Sequence, residues 1–336
     1  MTQEALMLDL PSPRDGEGHN QVDEDLEKVF SWFMHEKNCA LRFGEVIRRS
    51  IDEVLDGQRT GRYDLYKKGQ GCVEKTEKTY LGTKVEIVAR AEFDLGYGKK
   101  MDYSVCGIDV DAKWTIGNTW TIPSEAMGHI CLVIHANDRT NHFKVGLVRI
   151  TQELLNLGEN GDGKRTIAAP QKKSIRWIVE NGELPRNFLL SLEKTDPEGL
   201  TKITGASDGY KGAGNGGQRR VNALFERVPG QLVDRTTVVT VARQDDGPKR
   251  ARDARKQLRD KGFVVLGHLK PHPQIAEELG LPVPVKGTWV SARLTPVPDA
   301  DARPSTAIGP QRYALWREGD PCLAAPLIPT SQSESS

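Results

Sequence analysis

The sequence predicts a two-domain α/β protein, and three observations support this. The chain has 336 residues, which exceeds one typical domain and suffices for two, each with its own core. Its first half mixes apolar residues at helical spacing with short β-rich runs. Its second half has three helical segments and then two β-rich segments. We therefore expect helices around a mixed central sheet in residues 23–178 and a smaller helical and stranded domain in residues 187–329.

Composition narrows the class of protein further. Hydrophobic residues make up 37% and charged residues 28% of the chain, and the net charge is +1, as in an ordinary globular protein rather than a fibre or a disordered chain. The five cysteines are widely spaced and form no C-x-x-C pair, so neither a disulfide framework nor a zinc site is expected. With no apolar export signal or membrane-length apolar run, a reducing cytoplasm is the expected location.

Stretches rich in Pro, Gly and polar residues interrupt the apolar spacing and predict the domain boundaries. Residues 1–22 are rich in Pro, Gly and acidic residues and are expected to be a mobile leader, while residues 330–336 form a polar tail. Residues 174–179 are predicted to be helical, and the following Pro- and Gly-containing stretch places the linker at residues 179–186. The glycine-rich stretch 205–217 is an alternative boundary or a long loop of the second domain.

The first domain is predicted to begin with helices and continue as a sheet. Apolar spacing over residues 23–55 predicts two helices separated near Asn38, and a glycine-punctuated basic loop follows at residues 56–62. The next helix has Leu81, Val85, Val88, Ala89 and Phe93 on one side and also carries Glu86. Three sheet segments follow: an alternating strand or hairpin at 103–114, a buried strand at 130–134 and a third strand at 145–150.

The second domain has the element order of a winged helix-turn-helix. Helices are predicted at residues 219–228, 235–243 and 248–261, strands at 263–267 and 289–294, and a short helix at 274–279 between the strands. Three helices followed by a strand pair is the order of that fold, which places its third helix in the DNA major groove.

The strand at residues 107–114 carries the candidate chemistry. Alternation points Asp109, Asp111 and Lys113 to the face opposite the apolar residues. Asp111-x-Lys113 offers a carboxylate that could hold Mg²⁺ at a scissile phosphate and an ammonium that could support the attacking water. The pair alone is weak evidence, because alternating charges are also the ordinary exposed face of an antiparallel strand. A second acid-x-Lys, Asp162-Gly-Lys164, lies in a glycine-rich turn with no strand to aim it and is rejected.

Additional carboxylates strengthen the magnesium hypothesis. Mg²⁺ needs several oxygen ligands, and Asp102 on the hairpin and Glu86 on the preceding helix could join Asp111. Asp109 shares a face with Asp111 and is a competing ligand. Periodicity does not decide between them.

Two basic segments are candidate DNA contacts. The third helix of the second domain carries Lys249, Arg250, Arg252, Arg255, Lys256 and Arg259. Helical spacing aligns four of them in one stripe, which could neutralise phosphates and present Arg groups to guanine edges, although a charge run is usually a solvated face. Arg59 and Arg62 in the glycine-flanked loop could reach DNA near the scissile phosphate, or belong to an ordinary surface turn.

Successive segments resemble the NaeI-type type II restriction endonucleases. The resemblance is carried by Leu55-Asp-Gly-Gln-Arg-Thr-Gly-Arg62, residues 75–87, Asp102-Tyr103, Val110-Asp-Ala-Lys113 and Gly128-His-Ile-Cys-Leu-Val-Ile134, and in the second half by residues 217–225, 244–246 and 279–284. It implies a restriction-endonuclease-like catalytic domain with Glu86, Asp102 and Asp111 as metal carboxylates and Lys113 as the catalytic lysine. Asp109 matches no acidic position of the family pattern.

The resemblance also implies a homodimer that cuts both strands of a specific duplex sequence with Mg²⁺. Its C-terminal helix-turn-helix domain would bind a second, activating copy of the site. Two other functions are compatible with the residues: a winged-helix DNA-binding regulator with an inactive N-terminal domain, and a repair endonuclease that nicks one strand. Cleavage of a plasmid in Mg²⁺ and accumulation of linear product separate the three.

Overall fold

The computed structural model describes residues 23–69, 71–207 and 216–329. The predicted leader, the predicted tail and most of the glycine-rich stretch 205–217 lie outside these ranges. None of the helices in the described ranges is long and apolar enough to cross a membrane.

A six-stranded mixed sheet forms the centre of the first half. Its strands are β1 (Gly96–Tyr97), β2 (Tyr103–Val105), β3 (Ile108–Thr115), β5 (Ile130–Asn137), β6 (His142–Arg149) and β9 (Arg176–Glu183), in that spatial order. β3 and β5 run parallel and the other neighbours antiparallel. The mixed central sheet predicted from the sequence is therefore present.

Helices cover one face of this sheet. They are α1 (Glu24–His35), α2 (Cys39–Leu55), the single turn α3 (Gly57–Thr60) and α4 (Lys75–Phe93). The predicted break between the first two falls at Asn38, whose left-handed backbone no helix interior adopts. Glu74 and Glu77 form a capping box that begins α4. The apolar faces of α1, α2 and α4 meet the sheet in one continuous core that includes Phe33, Phe43 and Phe93.

A small three-stranded sheet covers the other face. It consists of β4 (Thr121–Ile122), β7 (Leu155–Glu159) and β8 (Arg165–Ile167), in the order β4-β8-β7. Its apolar residues pack with Cys131, Val133 and Val148 of the central sheet in a second core. The central sheet is therefore buried on both faces.

The prediction of a helix at residues 174–179 is wrong. A 3-10 turn ends at Ser174, and β9 follows and pairs antiparallel with β6. Because apolar groups cover both faces of the sheet, Ile178 and Val179 join one core while Ile175 and Trp177 join the other. The strand consequently reads as a continuous apolar run rather than an alternation. Residues 179–183 of the predicted linker belong to this strand.

The second half contains a helical group and a five-stranded sheet. The helices are α5 (Phe188–Thr195), α6 (Pro197–Gly205), α7 (Gly216–Arg227), α8 (Arg235–Ala242), α9 (Gly247–Gln257) and α10 (His272–Glu278). The strands are β10 (Leu232–Asp234), β11 (Phe263–Leu266), β12 (Thr288–Val297), β13 (Ser305–Ile308) and β14 (Gln311–Leu315), with β10, β11 and β14 all antiparallel to β12. The three predicted helices and the strand pair appear as α7, α8, α9, β11 and β12.

The basic helix α9 is shorter than predicted. It ends at Gln257, and a separate 3-10 turn spans Arg259–Lys261. Arg259 is therefore outside the α-helix, and its Nε donates to the carbonyl of Ala325 at 3.0 Å.

The two halves meet where α3 lies against α8. A Cβ atom built on Gly57 would come within 2.2 Å of Thr240 Oγ1, so only glycine allows this approach. Polar contacts extend the joint: Tyr63 donates to Glu193 at 3.0 Å, and Asn187 Nδ2 donates to the buried carboxylate of Asp138 at 3.0 Å.

Candidate active site

The β2–β3 hairpin positions the acid-x-Lys pair. Its turn, Cys106-Gly107, has positive φ at both residues, as the two-residue turn of a tightly twisted hairpin requires. Asp111 and Lys113 follow on β3, opposite Cys131 and Val133 of β5. Lys113 Nζ lies 2.6 Å from Asp111 Oδ2, and the Asp111 residue is only 6% exposed.

Asp102 is held against the same stretch of β3. Its Oδ2 accepts a hydrogen bond from the backbone N–H of Ala112 at 2.7 Å. The Asp102 and Asp111 side chains interact with each other, and this contact raises the pKa of Asp111. Two carboxylates therefore meet beside β3.

Glu86 approaches from α4 and is held by Arg90. Arg90 Nη2 donates to Glu86 Oε1 at 2.6 Å and to the carbonyl of Asp102 at 3.1 Å. The Arg90 guanidinium also lies over the rings of Tyr97 and Tyr103, 4.5 and 5.5 Å from their centroids. Tyr103 in turn donates its hydroxyl proton to the carbonyl of Glu86 at 3.0 Å. Arg90 and Tyr103 thus tie α4 to the hairpin.

Asp109 has a different role from Asp111. Its two carboxylate oxygens accept the backbone N–H groups of Lys99 and Lys100, both at 2.9 Å, and these bonds lower its pKa. Asp109 therefore holds the loop between β1 and β2. Periodicity does not reveal these two hydrogen bonds.

Burial and mutual repulsion make the cluster unfavourable for negative charge. Burial is the main cause that raises the pKa of Asp111 from its ordinary 3.8 to about 6, against the opposing attraction of Lys113. Burial and the nearby Asp102 charge also raise the pKa of Glu86, while Arg90 and Lys113 act in the other direction. The Asp102 charge thus acts on both Glu86 and Asp111, which is the electrostatic pattern of a site that gains from a bound cation.

The donor set matches a hard divalent cation in chemistry. Glu86, Asp102 and Asp111 offer only oxygen atoms, the ligands that Mg²⁺ prefers. Over the described ranges of the chain, no group of three or more His, Cys, Asp or Glu residues has an arrangement that would hold a metal ion. In this structure the Lys113 ammonium supplies the positive charge beside Asp111, and the Arg90 guanidinium supplies it beside Glu86.

The structure separates the two arginines of the segment 56–62. Arg59 is well exposed, with 77% of its side chain accessible, and pairs only with Asp56 at 2.7 Å. Arg62 donates to both carboxylate oxygens of Glu77, at 2.8 and 2.9 Å, and to the carbonyl of Leu55 at 3.0 Å. Arg62 thereby joins the end of α2 to the beginning of α4.

The basic residues of the second half also divide into two groups. Lys249, Arg252 and Lys256 are exposed at i, i+3 and i+7 of α9 and form one stripe. Arg250 pairs with Asp246 at 3.1 Å, and Arg255 donates to the carbonyl of Val265 at 2.8 Å. Arg259 donates to the carbonyl of Ala325. Three of the six residues predicted to contact DNA therefore contact other residues of the second half in this structure.

Three neighbours of the site were not predicted. Arg90 lies one helical turn after Glu86, a spacing that could have identified it as an ion-pair partner. Cys131 is buried and places its Sγ 3.5 Å from Asp111 Oδ2, and no local pattern signals this contact. Hydrogen bonds from its own backbone N–H and from Ser124 are the main causes that lower the pKa of Glu125, and the charges of Lys164 and Lys113 act in the same direction. Glu125 comes from a different stretch of chain that only the tertiary fold brings close.

A mixed sheet bearing an acid-x-Lys pair, with two more carboxylates beside it, is consistent with a restriction-endonuclease-like domain. The comparisons agree with this class: a model of the family described as restriction endonuclease NaeI matches residues 27–324. The chain is also 36% identical over 318 residues to the type II restriction enzyme NaeI of Lentzea aerocolonigenes, covering 94% of this chain and 97% of that protein. The chain belongs to the restriction endonuclease NaeI family.

Proposed function

We propose that the protein is a type II site-specific endonuclease that hydrolyses both strands of duplex DNA. The observation that carries this proposal is the Asp111–Lys113 ion pair of 2.6 Å, with Asp102 hydrogen-bonded beside it. Family membership supports the same activity, because the similar enzyme is a type II restriction enzyme.

The oxygen-only donor set of the carboxylate cluster suits Mg²⁺ in its chemistry. Glu86, Asp102 and Asp111 would hold it, and when bound it would supply a Lewis acid at the scissile phosphate. The positive charge would also offset the repulsion that raises the pKa values of Asp111 and Glu86.

The remaining residues prepare the site for phosphodiester hydrolysis. Lys113 places its ammonium next to Asp111, where it can hold the attacking water and stabilise the charge that grows on the phosphate oxygens. Arg90 orients the Glu86 carboxylate, and Asp102 is oriented by the Ala112 N–H. These contacts hold the carboxylates within the cluster in the metal-free protein, and binding of a cation would require Arg90 and Lys113 to release carboxylate oxygens that they now contact.

The second half would be a winged helix-turn-helix domain that binds a second, activating copy of the recognition site. The order α7, β10, α8, α9, β11, β12, with β12 between β10 and β11, supports this interpretation. The exposed stripe of Lys249, Arg252 and Lys256 on α9 would contact the DNA, while Arg250, Arg255 and Arg259 shape the domain. Arg59 would reach the DNA from the catalytic half.

A homodimer would allow one symmetric assembly to cut both strands. A two-fold protein axis matches a palindromic DNA site, and one active site per subunit then faces each strand.

The test is cleavage of a sequenced supercoiled plasmid in Mg²⁺. We expect the wild type to give linear product at defined positions, Asp111→Ala and Lys113→Ala to give none, and the matched variant Asp109→Asn to retain activity. Adding a short duplex that carries the mapped site should stimulate the wild type. DNA binding without cleavage in Mg²⁺ or Mn²⁺ would refute the proposed nuclease activity. Nicked circles as the sole product would refute cleavage of both strands.

A further inference from the structure

The β7–β8 hairpin displays an apolar side chain on the face of the central sheet that carries Asp111 and Lys113. Leu157 is 95% exposed, the most exposed large hydrophobic residue of the described chain. Its neighbours from Asn156 to Lys164 are all exposed as well. Single exposed hydrophobic residues are common on protein surfaces, so Leu157 is informative only together with the way the hairpin holds it and the face on which it lies.

An irregularity of the hairpin directs this leucine outward. Leu155 pairs with Ile167 and Glu159 with Arg165, so four steps along β7 oppose two along β8. Leu155 is buried in the core, whereas Leu157 points to solvent. Bulges of this kind redirect a side chain and are common beside active sites.

Arg165 holds the bulge rigid. Its guanidinium donates to the carbonyls of Asn156 at 2.6 Å and Leu155 at 3.2 Å and to the side-chain oxygen of Gln152 at 2.7 Å. The Asn160 side chain accepts the N–H groups of Asp162 and Lys164 at 3.0 and 2.9 Å and closes the turn. The exposed leucine is therefore presented on a preorganised support.

The hairpin stands on the catalytic face of the central sheet. Asp111 and Lys113 share their face with Cys131 and Val133, and these two pack in the core beneath β4, β7 and β8. Leu155 of β7 and Ile167 of β8 share this core with Cys131 and Val133, so the hairpin lies on the side of the sheet that carries the catalytic lysine. DNA bound at Lys113 would lie beside this hairpin.

The charge of the hairpin favours base edges over phosphates. Glu159 and Asp162 balance Lys164 and Arg165, so the tip carries no net charge to hold the DNA backbone. A two-stranded ribbon fits the major groove, where an apolar side chain can contact a thymine methyl group and a carboxylate can accept from cytosine.

We propose that the β7–β8 hairpin enters the major groove of the substrate duplex and that Leu157 helps to select the cleaved sequence. This inference rests on the proposed nuclease function. Leu157 is a specificity residue, and Arg165 is a positioning residue that acts through the bulge.

The experiment compares cleavage rates at the mapped site and at sites with one altered base pair. We expect Leu157→Ala to slow cleavage at the mapped site about tenfold and to leave unchanged the rate at sites altered in the contacted base pair, because loss of one specific base-pair contact typically costs about tenfold or more. Leu157→Met should restore most of the loss, and Arg165→Lys should reproduce it. Leu41→Ala, which removes another exposed leucine, serves as the control for surface truncation.

Three outcomes would overturn the inference. One is unchanged discrimination in both Leu157→Ala and Arg165→Lys, and another is an equal loss at the mapped site and at every altered site. The third is conversion of a wild-type dimer to monomers by Leu157→Ala in sedimentation velocity, which would make the hairpin a contact between copies of the chain. A wild type that cuts no DNA would instead refute the proposed function, so the two failures are distinguishable.

Discussion

Replacing Asp111 by Asn should abolish cleavage and at the same time stabilise the metal-free protein. The carboxylate is buried, and its pKa is raised from 3.8 to about 6. Each pKa unit corresponds to ~1.4 kcal/mol, so the ionised side chain destabilises the fold by about 3 kcal/mol at neutral pH. Asn removes that charge and keeps the shape, although Lys113 then loses its partner. We therefore expect a gain in the free energy of unfolding of about 1–3 kcal/mol.

The gain should depend on pH in a defined direction. Because the pKa of Asp111 is higher in the folded state, the folded protein binds the extra proton between about pH 6 and pH 4. The destabilisation caused by the ionised Asp111 carboxylate is fully present above pH 6 and disappears as the pH falls toward 3.8. The advantage of Asp111→Asn over wild type should consequently be present at pH 7.5 and shrink by pH 4.5.

Urea unfolding of the metal-free protein at these two pH values measures the effect. Asp109→Asn is the matched control, since Asp109 lies two residues away and stabilises the loop through two backbone hydrogen bonds. It should lower the free energy of unfolding by about 1–2 kcal/mol. An Asp111→Asn protein that is less stable than wild type at pH 7.5, or equally stable at both pH values, would refute the reasoning.

Three further predictions follow from the described contacts. Lys113→Ala should reduce the plasmid cleavage rate by at least about 10²-fold while binding of the mapped duplex, measured without Mg²⁺, persists; loss of binding would argue against a role in the reaction. Arg62→Ala should lower the free energy of unfolding by about 2 kcal/mol in urea, since it removes two charge-assisted hydrogen bonds to Glu77 and one to the Leu55 carbonyl, and an unchanged midpoint would contradict this. Replacing Lys249, Arg252 and Lys256 by Ala should reduce the slope of log K against log salt concentration for effector-duplex binding by about three. An unaltered slope would mean that this DNA contacts another surface.

The parts of the fold that local patterns determine were predictable. Helices α1, α2 and α4 have apolar residues at regular helical spacing, and Asn38 interrupts the first two where the backbone must turn left-handed. By contrast, β9 was mistaken for a helix because cores on both faces of the sheet remove its alternation. Short strands such as β4 and β10, of two and three residues, are specified by their partners more than by their own residues.

The candidate site was predictable in its members but not in its connections. Asp111 and Lys113 share a strand face, so spacing alone related them. The role of Asp109 depended on the backbone N–H groups of Lys99 and Lys100, which no side-chain pattern reveals. Arg62 likewise has the sequence context of an exposed loop, yet it pairs with Glu77 because two helices converge there.

The close approach of Gly57 to Thr240 has a consequence for how the two halves can be exchanged between proteins. The surfaces are matched at the level of single atoms, since even one additional methyl group on α3 would push α8 away. A chimera that joins the second half of this chain to the first half of another protein would need to carry α3 of this chain along with α8. The segment that could be transferred to another protein is thus limited by the contact between α3 and α8 and not by the end of β9.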